Sequence, residues 1–300
     1  MRIAHLIPSL RRAALALGCA LWTGLAGADS NPAQTVTILT QQDVYTDYQR
    51  FIGKRNPLTL ERFSGPGSRR DVIELVLTQQ ALHLGGLRAP VRLVKVDHSS
   101  DSYSRFLREI LSGSATLGGN TAWLIDLQSI KDKIYISAPL IRQGEFEAGL
   151  YTASGNATAL AARDLPAVQR LTAVVAESWR PDVTTLQGLG MSKVLLTQSW
   201  DSMVGMVAKG RADVLLAPFQ ATPDMALRVG EQRFLPIPDV KVGLQGSRHL
   251  FVSRSAPNGA KVAQALEKGI AVLRERGTIE RAYSESGFFN DRTRHWQRLN

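Results

Sequence analysis

The sequence predicts an α/β protein of two similar lobes, each a mostly parallel sheet flanked by helices, with a two-strand hinge between them. Three observations carry this expectation. The stretch Lys193–Phe219 reads strand, polar loop, helix, Gly-Arg break, strand, and short apolar strands joined by a helix imply a parallel βαβ unit. An upstream stretch from Val91 to Trp123 repeats the same logic. The 300 residues also exceed one ordinary core and suit two lobes of roughly 100–150 residues each.

Residues 1–28 read as a removable leader. Arg2, Arg11 and Arg12 form a positive region, Ala13–Leu25 an apolar one, and Ala26-Gly27-Ala28 a cleavage site. The apolar run is too short to span a membrane, and no later segment is long or apolar enough. The expected location is therefore the periplasm, reached through a cleaved N-terminal signal peptide. Cys19, the single cysteine, lies inside the leader. Leu17 stands one place too late for a lipidation pattern, and Leu10 replaces the Ser or Thr of a twin-arginine signal. The mature chain is then without thiol chemistry.

An apolar fraction of 44% and a charged fraction of 21% are those of a folded globular chain. The net charge of +10 falls to +7 once the three leader arginines are gone. Lys and Arg are scattered, without the basic runs or interleaved aromatics that nucleic-acid binding requires. A basic surface of this kind favours solubility and attraction of anionic solutes.

In chain order, Gln34–Leu39 is the first strand, and Thr40–Pro66 a long connection carrying Tyr45, Tyr48, Phe51 and Phe63, of lid-like length, with a helix in part of it as an open alternative. Ser68-Arg69-Arg70-Asp71 opens a helix over Val72–Leu82, with Val72, Leu75, Val76 and Gln79 on one face and Gly85-Gly86 at its end. Strand Val91–Val96, a capping loop over residues 97–102, helix Tyr103–Leu111 and strand Ala115–Gly119 make the first βαβ unit. Trp123–Tyr135 reads as helix and loop, and Ile136–Ile141 as extended. Strand Val174–Ala176 and helix Val183–Leu189, stopped by Gly190, precede the second unit. There Val194–Leu196 is a strand, and Ser199 caps a helix over Trp200–Lys209 with Met203, Val204, Met206 and Val207 at helical spacing. Gly210 stops it, Asp213 takes a structural place at the junction, and Ala212–Ala217 is the closing strand. Phe234–Pro238, Leu244–Gln245 and His249–Ser253 return to the first lobe, and Lys261–Arg276 is an amphipathic helix closed by Gly277.

Both βαβ copies resemble the bacterial type 2 periplasmic solute-binding proteins, especially the family that binds polar amino acids. The residues that carry the likeness are GRAD at Gly210–Asp213 and, loosely, SGSA at Ser112–Ala115, with the terminal helix and aromatic end at Thr278–Phe289. The resemblance covers most of the chain after residue 34. It implies a periplasmic-binding-protein type 2 fold, with residues 29–150 and 246–300 as lobe 1, 151–245 as lobe 2, and Phe146–Thr152 as the strand that crosses to the second lobe. It further implies a monomeric solute-binding protein, not an enzyme, that closes on a small solute. The solute would pass to an inner-membrane permease of an ABC transporter or to a sensor, with no nucleic acid, metal or cofactor involved. Two other readings stay open: a prephenate-type dehydratase on the same fold, or a degenerate signalling or assembly module.

Ligand sites of such sheets lie at the carboxyl ends of the strands. The candidates are Asn120, Thr121 and Trp123 in lobe 1, Arg142 near the crossing, and Gln198, Ser199, Trp200, Phe219 and Gln220 in lobe 2. Ser178, Trp179 and Arg180 join them, because the helix they precede can attract an anion and Arg180 adds a fork donor. The three tryptophans have a packing alternative. Two departures from the resembled family stand out. Asn120–Asp126 lacks the arginine that clamps an α-carboxylate, and Gln220 stands where an aspartate receives the ammonium; Arg142 and Asp224 are candidate substitutes. A polar or weakly anionic solute is expected in place of an ordinary amino acid. Gly118-Gly119 either admits a ligand close to the backbone or makes a tight turn. His83, His98, His249 and His295 form no metal motif, and neither a phosphate loop nor a nucleophile elbow occurs.

Overall fold

The computed structural model describes residues 35–96 and 102–300. The leader, Cys19 and residues 97–101 of the capping loop lie outside them. Lobe 1 begins with β1 (Val36–Gln41), α1 (Gln42–Ile52), α2 (Arg70–Leu84), β2 (Val91–Val96), α3 (Ser102–Ser112), β3 (Leu117–Gly118), β4 (Ala122–Trp123), α4 (Leu124–Gln128) and β5 (Ile134–Ile141). The chain then builds β6 (Glu147–Ala153), α5 (Ala157–Leu160), α6 (Leu165–Gln169), β7 (Thr172–Ala176), α7 (Arg180–Gly188), β8 (Lys193–Thr197) and α8 (Trp200–Ala208). β9 (Leu215–Pro218), β10 (Leu227–Val229), β11 (Gln232–Pro236) and β12 (Val240–Gly243) complete lobe 2. Finally β13 (Arg248–Ser253), α9 (Gly259–Glu275) and α10 (Thr278–Glu285) return to lobe 1, and β14 (Gln297–Arg298) ends the structure.

The lobe 1 sheet runs β2-β1-β3-β13-β4, with β5 also on β13. β1 lies parallel to both β2 and β3, so the first βαβ unit has β1 between its strands. The long connection after β1 is not a loop throughout. Val44, Tyr48, Phe51 and Ile52 gather on the buried face of α1, at the spacing an amphipathic helix requires. Arg69 fastens α1 to the start of α2, pairing with Asp43, Asp47 and Asp71 at 2.5–2.9 Å. Likewise Trp123–Tyr135 holds only the short α4, and β5 starts at Ile134, earlier than the sequence predicts. Its Ile134, Ser137, Leu140 and Ile141 are buried, so burial favours a strand there.

In lobe 2, β6 is flanked by β9, β11 and β12 in antiparallel fashion. β7 and β8 are parallel, and a parallel bridge from Ala173 to Val214 links them to the rest. The strands of the second βαβ unit are therefore not neighbours; β7 lies between β8 and β9. Asp213 accepts the Thr172 N–H at 2.8 Å and so fastens that junction.

The chain crosses between sheets at residues 142–146 and again at 244–247. Gln143 and Gln245 bond across the two crossings at 2.9 Å. A third link joins them, because β14 pairs with β12 of lobe 2 although α10 packs on lobe 1. Its neighbour Asn300 exchanges two bonds with Gly243, each 2.8 Å. One apolar cluster continues from lobe 1 into lobe 2 past Trp123, Phe146 and Phe288, whose rings lie 4.9–5.1 Å apart in sequence. No helix among the described residues is long and apolar enough to cross a membrane.

α2 is buried on every side over Val72–Leu82, which requires α9 to come close. Gly269 permits it: a Cβ there would lie 1.8 Å from the Ala81 carbonyl oxygen. Gly269→Ala is expected to cost about 1–3 kcal/mol by overpacking, read as a lower midpoint in urea unfolding at unchanged slope.

Candidate functional site

A carboxylate sits in the middle of the most buried helix of lobe 1. Glu74 on α2 has no exposed surface, and an ion in such a place survives only when its oxygens are satisfied. Arg70, one turn earlier, donates to it at 2.8 Å. The Thr121 N–H and hydroxyl donate at 2.9 and 2.8 Å, and the Tyr283 hydroxyl at 3.2 Å. Burial and then the Glu74 charge push the Tyr283 hydroxyl well above its ordinary pKa. Burial opposes the charge of Arg70, yet Glu74 and Asp71 outweigh it and hold its pKa above the ordinary value. Four donors from three elements thus fix the loop after β3.

Arg248, the first residue of β13, lies over that loop. Its Nε donates to the Thr121 hydroxyl at 3.0 Å and its Nη2 donates to the Thr121 carbonyl. The guanidinium stacks over Trp123 at 4.7 Å and near Phe146 at 5.8 Å, a cation–π arrangement. Arg70 stands 5.9 Å from the same Phe146 ring. Its Nε has no hydrogen-bond partner among the described residues.

Lobe 2 presents the start of α7 to this face. Arg180 reaches Asp126 on α4 with Nη2 at 2.9 Å and Nε at 3.2 Å, an ion pair that joins the two lobes. Asp182, partly buried, feels the charges of Arg248 and Arg70 from lobe 1. Burial is the largest influence on it and raises its carboxyl to about 7, although Arg248, its own backbone and Arg70 pull the other way.

The predicted residues separate into three groups. Thr121, Trp123 and Arg180 are part of the cluster just described, and Asn120 adjoins it, donating to the Asp71 carbonyl at 2.9 Å. Ser178, Trp179, Gln198, Ser199 and Trp200 share one edge of lobe 2. There Trp179 stacks on Trp200 at 6.1 Å, Gln198 donates to Glu177 at 3.1 Å, and Ser199 caps α8 through the Ser202 N–H at 3.2 Å. Phe219 and Gln220 lie elsewhere, because β7 separates β8 from β9. Phe219 packs edge-on against Trp296 at 5.5 Å, and the Gln220 carbonyl accepts from Asn290 at 3.1 Å. Arg142 is not in the cleft either; with Phe219 it lines a cavity of about 650 Å³ beside the crossings. Charged residues there are largely paired off, Lys241 with Glu147 at 2.8 Å and Arg294 with Asp291 at 2.7 Å. Asp224 is engaged in its own turn, where the Ala226 N–H and then Arg233 hold its carboxyl down at about 2.

Gly118 and Gly119 have a different reason from either alternative. A Cβ on Gly118 would meet Phe106 at 2.9 Å, and one on Gly119 would meet Leu75 at 2.6 Å; the glycines admit core side chains. No group of three His, Cys, Asp or Glu among the described residues could hold a metal ion. Sequence reasoning missed Arg70, Glu74, Arg248 and Asp182. The Arg70/Glu74 pair at i, i+4 inside an apolar helix was the available signal.

No family model matches the sequence, and no curated protein matches it. Solved structures do match. The periplasmic VFT2 domain of BvgS from Bordetella pertussis is similar with a TM-score of 0.53 at 15% identity, over 82% of this chain and 92% of that one. A probable amino-acid ABC transporter extracellular-binding protein, ytmK of Bacillus subtilis, gives 0.54 at 11% identity over 84% and 97%. An amino acid ABC transporter substrate-binding protein from Streptococcus pneumoniae, bound to L-arginine, gives 0.50 at 12% identity over 87% and 94%. The chain has the two-lobed type 2 periplasmic-binding-protein fold.

Two outcomes test this site. Glu74→Ala leaves the Arg70 charge without its partner and is expected to cost about 3–5 kcal/mol in chemical unfolding. Asp182 keeps its proton up to about pH 7 when folded, against an ordinary 3.8. The folded chain then binds more protons than the unfolded one between those values, so its contribution to stability falls as pH rises through that window. Asp182→Asn is expected to remove this decline, read as the difference between the two proteins' unfolding free energies across pH.

Proposed function

We propose that the chain is an extracytoplasmic solute-binding module, acting in the periplasm, that closes its lobes on a small polar or weakly anionic solute. The observation that carries this reading is the convergence, on this fold, of Arg70, Thr121 and Arg248 from lobe 1 with Arg180 and Asp182 from lobe 2. Two guanidinium groups beside aromatic faces suit a planar anionic or amide group, and Thr121 and Trp123 supply neutral contacts. The arginines come from α2 and β13 and not from the loop after β3, which supports a ligand other than an ordinary α-amino acid. Cleft residues offer binding and orientation; Asp182, a carboxyl raised to about 7, is the one feature among them that suits the general acid of a dehydratase, and a turnover assay showing product would reverse the order of the two readings. The solute would be handed to a membrane permease or sensor. A second reading, a signalling or assembly module whose cleft holds its own side chains, is favoured by the Arg180–Asp126 pair.

The test is a thermal-shift screen of amino acids, carboxylic acids and amides on the whole chain. A true solute at about 100 times its Kd adds roughly 2.7 kcal/mol, and Arg248→Lys, which loses the fork, weakens the response. A flat screen, with no small molecule co-purifying in native mass spectrometry, overturns the solute reading in favour of the second.

A further inference from the structure

Besides the shared apolar cluster, one contact between the lobes is made by a pair of the protein's own charges. Asp126 lies almost wholly within lobe 1, its side chain 9% exposed, whereas Arg180 belongs to lobe 2 and is 57% exposed. Both Nε and Nη2 of Arg180 point at the same oxygen, Oδ1 of Asp126, at 3.2 and 2.9 Å. A carboxylate already held in the body of one lobe loses little freedom when it accepts a bond. The entropy of forming the pair therefore falls on the arginine alone.

That arginine is aimed by its neighbours. Pro181, buried at the first turn of α7, fixes the backbone beside it. Trp179, immediately before, stacks on Trp200 of α8, which anchors the turn to the body of lobe 2. Val183 and Trp179 pack against the apolar cluster that continues into lobe 1. The arginine thus leaves lobe 2 from a rigid base and ends on a fixed acceptor in lobe 1.

We propose that Arg180 and Asp126 form a latch that holds the two lobes together independently of any solute. Because both partners belong to the chain, the latch forms whether or not the cleft holds a ligand, and a solute strengthens closure without being required for it. The inference does not depend on which solute binds, nor on whether one binds at all.

Small-angle scattering of the whole chain, stripped of solute by unfolding and refolding, tests this. Wild-type protein is expected to scatter with the radius of gyration calculated for the structure described above. Arg180→Ala lies at an exposed position, so it leaves the core intact, and its loss shifts the closed-to-open ratio by about tenfold, the weight of one charge-assisted hydrogen bond. Arg180→Glu, which sets two carboxylates face to face, gives a larger radius still. Asp126→Asn, nearly isosteric, reproduces Arg180→Ala, and circular dichroism confirms that each variant is folded. Combining Arg180→Glu with Asp126→Arg restores the wild-type radius. A solute-free wild type as expanded as the variants, or folded variants with an unchanged radius, overturns the latch. Solute binding is read separately, by the thermal screen on the wild-type chain.

Discussion

The cleft face of lobe 1 depends on Glu74. A carboxylate with no exposed surface in the middle of α2 is tolerable only because Arg70, Thr121 and Tyr283 all donate to it. Those donors come from the same helix, from the loop after β3, and from α10. Each must therefore lie where the acceptor needs it. The loop so fixed presents Thr121 to Arg248, and Arg248 in turn lies on Trp123. A single buried charge thus sets the position of a polar surface built from elements far apart in the chain.

The fold was legible where periodicity was strong. α2, α8, α9 and the strands flanking them were all anticipated, because apolar residues recur at their proper intervals and glycines stop the helices. α1 was anticipated only as an open alternative within the connection, although Val44, Tyr48, Phe51 and Ile52 hold helical spacing; the polar Gln-Gln-Asp start and three aromatics made the stretch look like a loop. The order of strands in lobe 2 was equally hidden. That β7 intrudes between β8 and β9 is decided by long-range pairing, which no local pattern records.

The site was legible only in its loops. Thr121, Trp123 and Arg180 could be singled out because they end strands or precede a helix. Arg70 and Glu74 were passed over, since an i, i+4 ion pair usually faces solvent; only the apolar residues around it signal that this one is buried. Arg248 heads an apolar strand and carries no motif. Arg142 and Phe219 line a cavity apart from that cluster, an arrangement set by how the crossings and the C-terminal segment pack, not by sequence neighbours.

Three separate strands of chain pass between the lobes, two as crossings and one as β14 with its bonds from Asn300 to Gly243. Two separate connections leave a body one free rotation, about the line through them, and a third restrains that rotation too, so the halves are tied more firmly than two crossings alone would tie them.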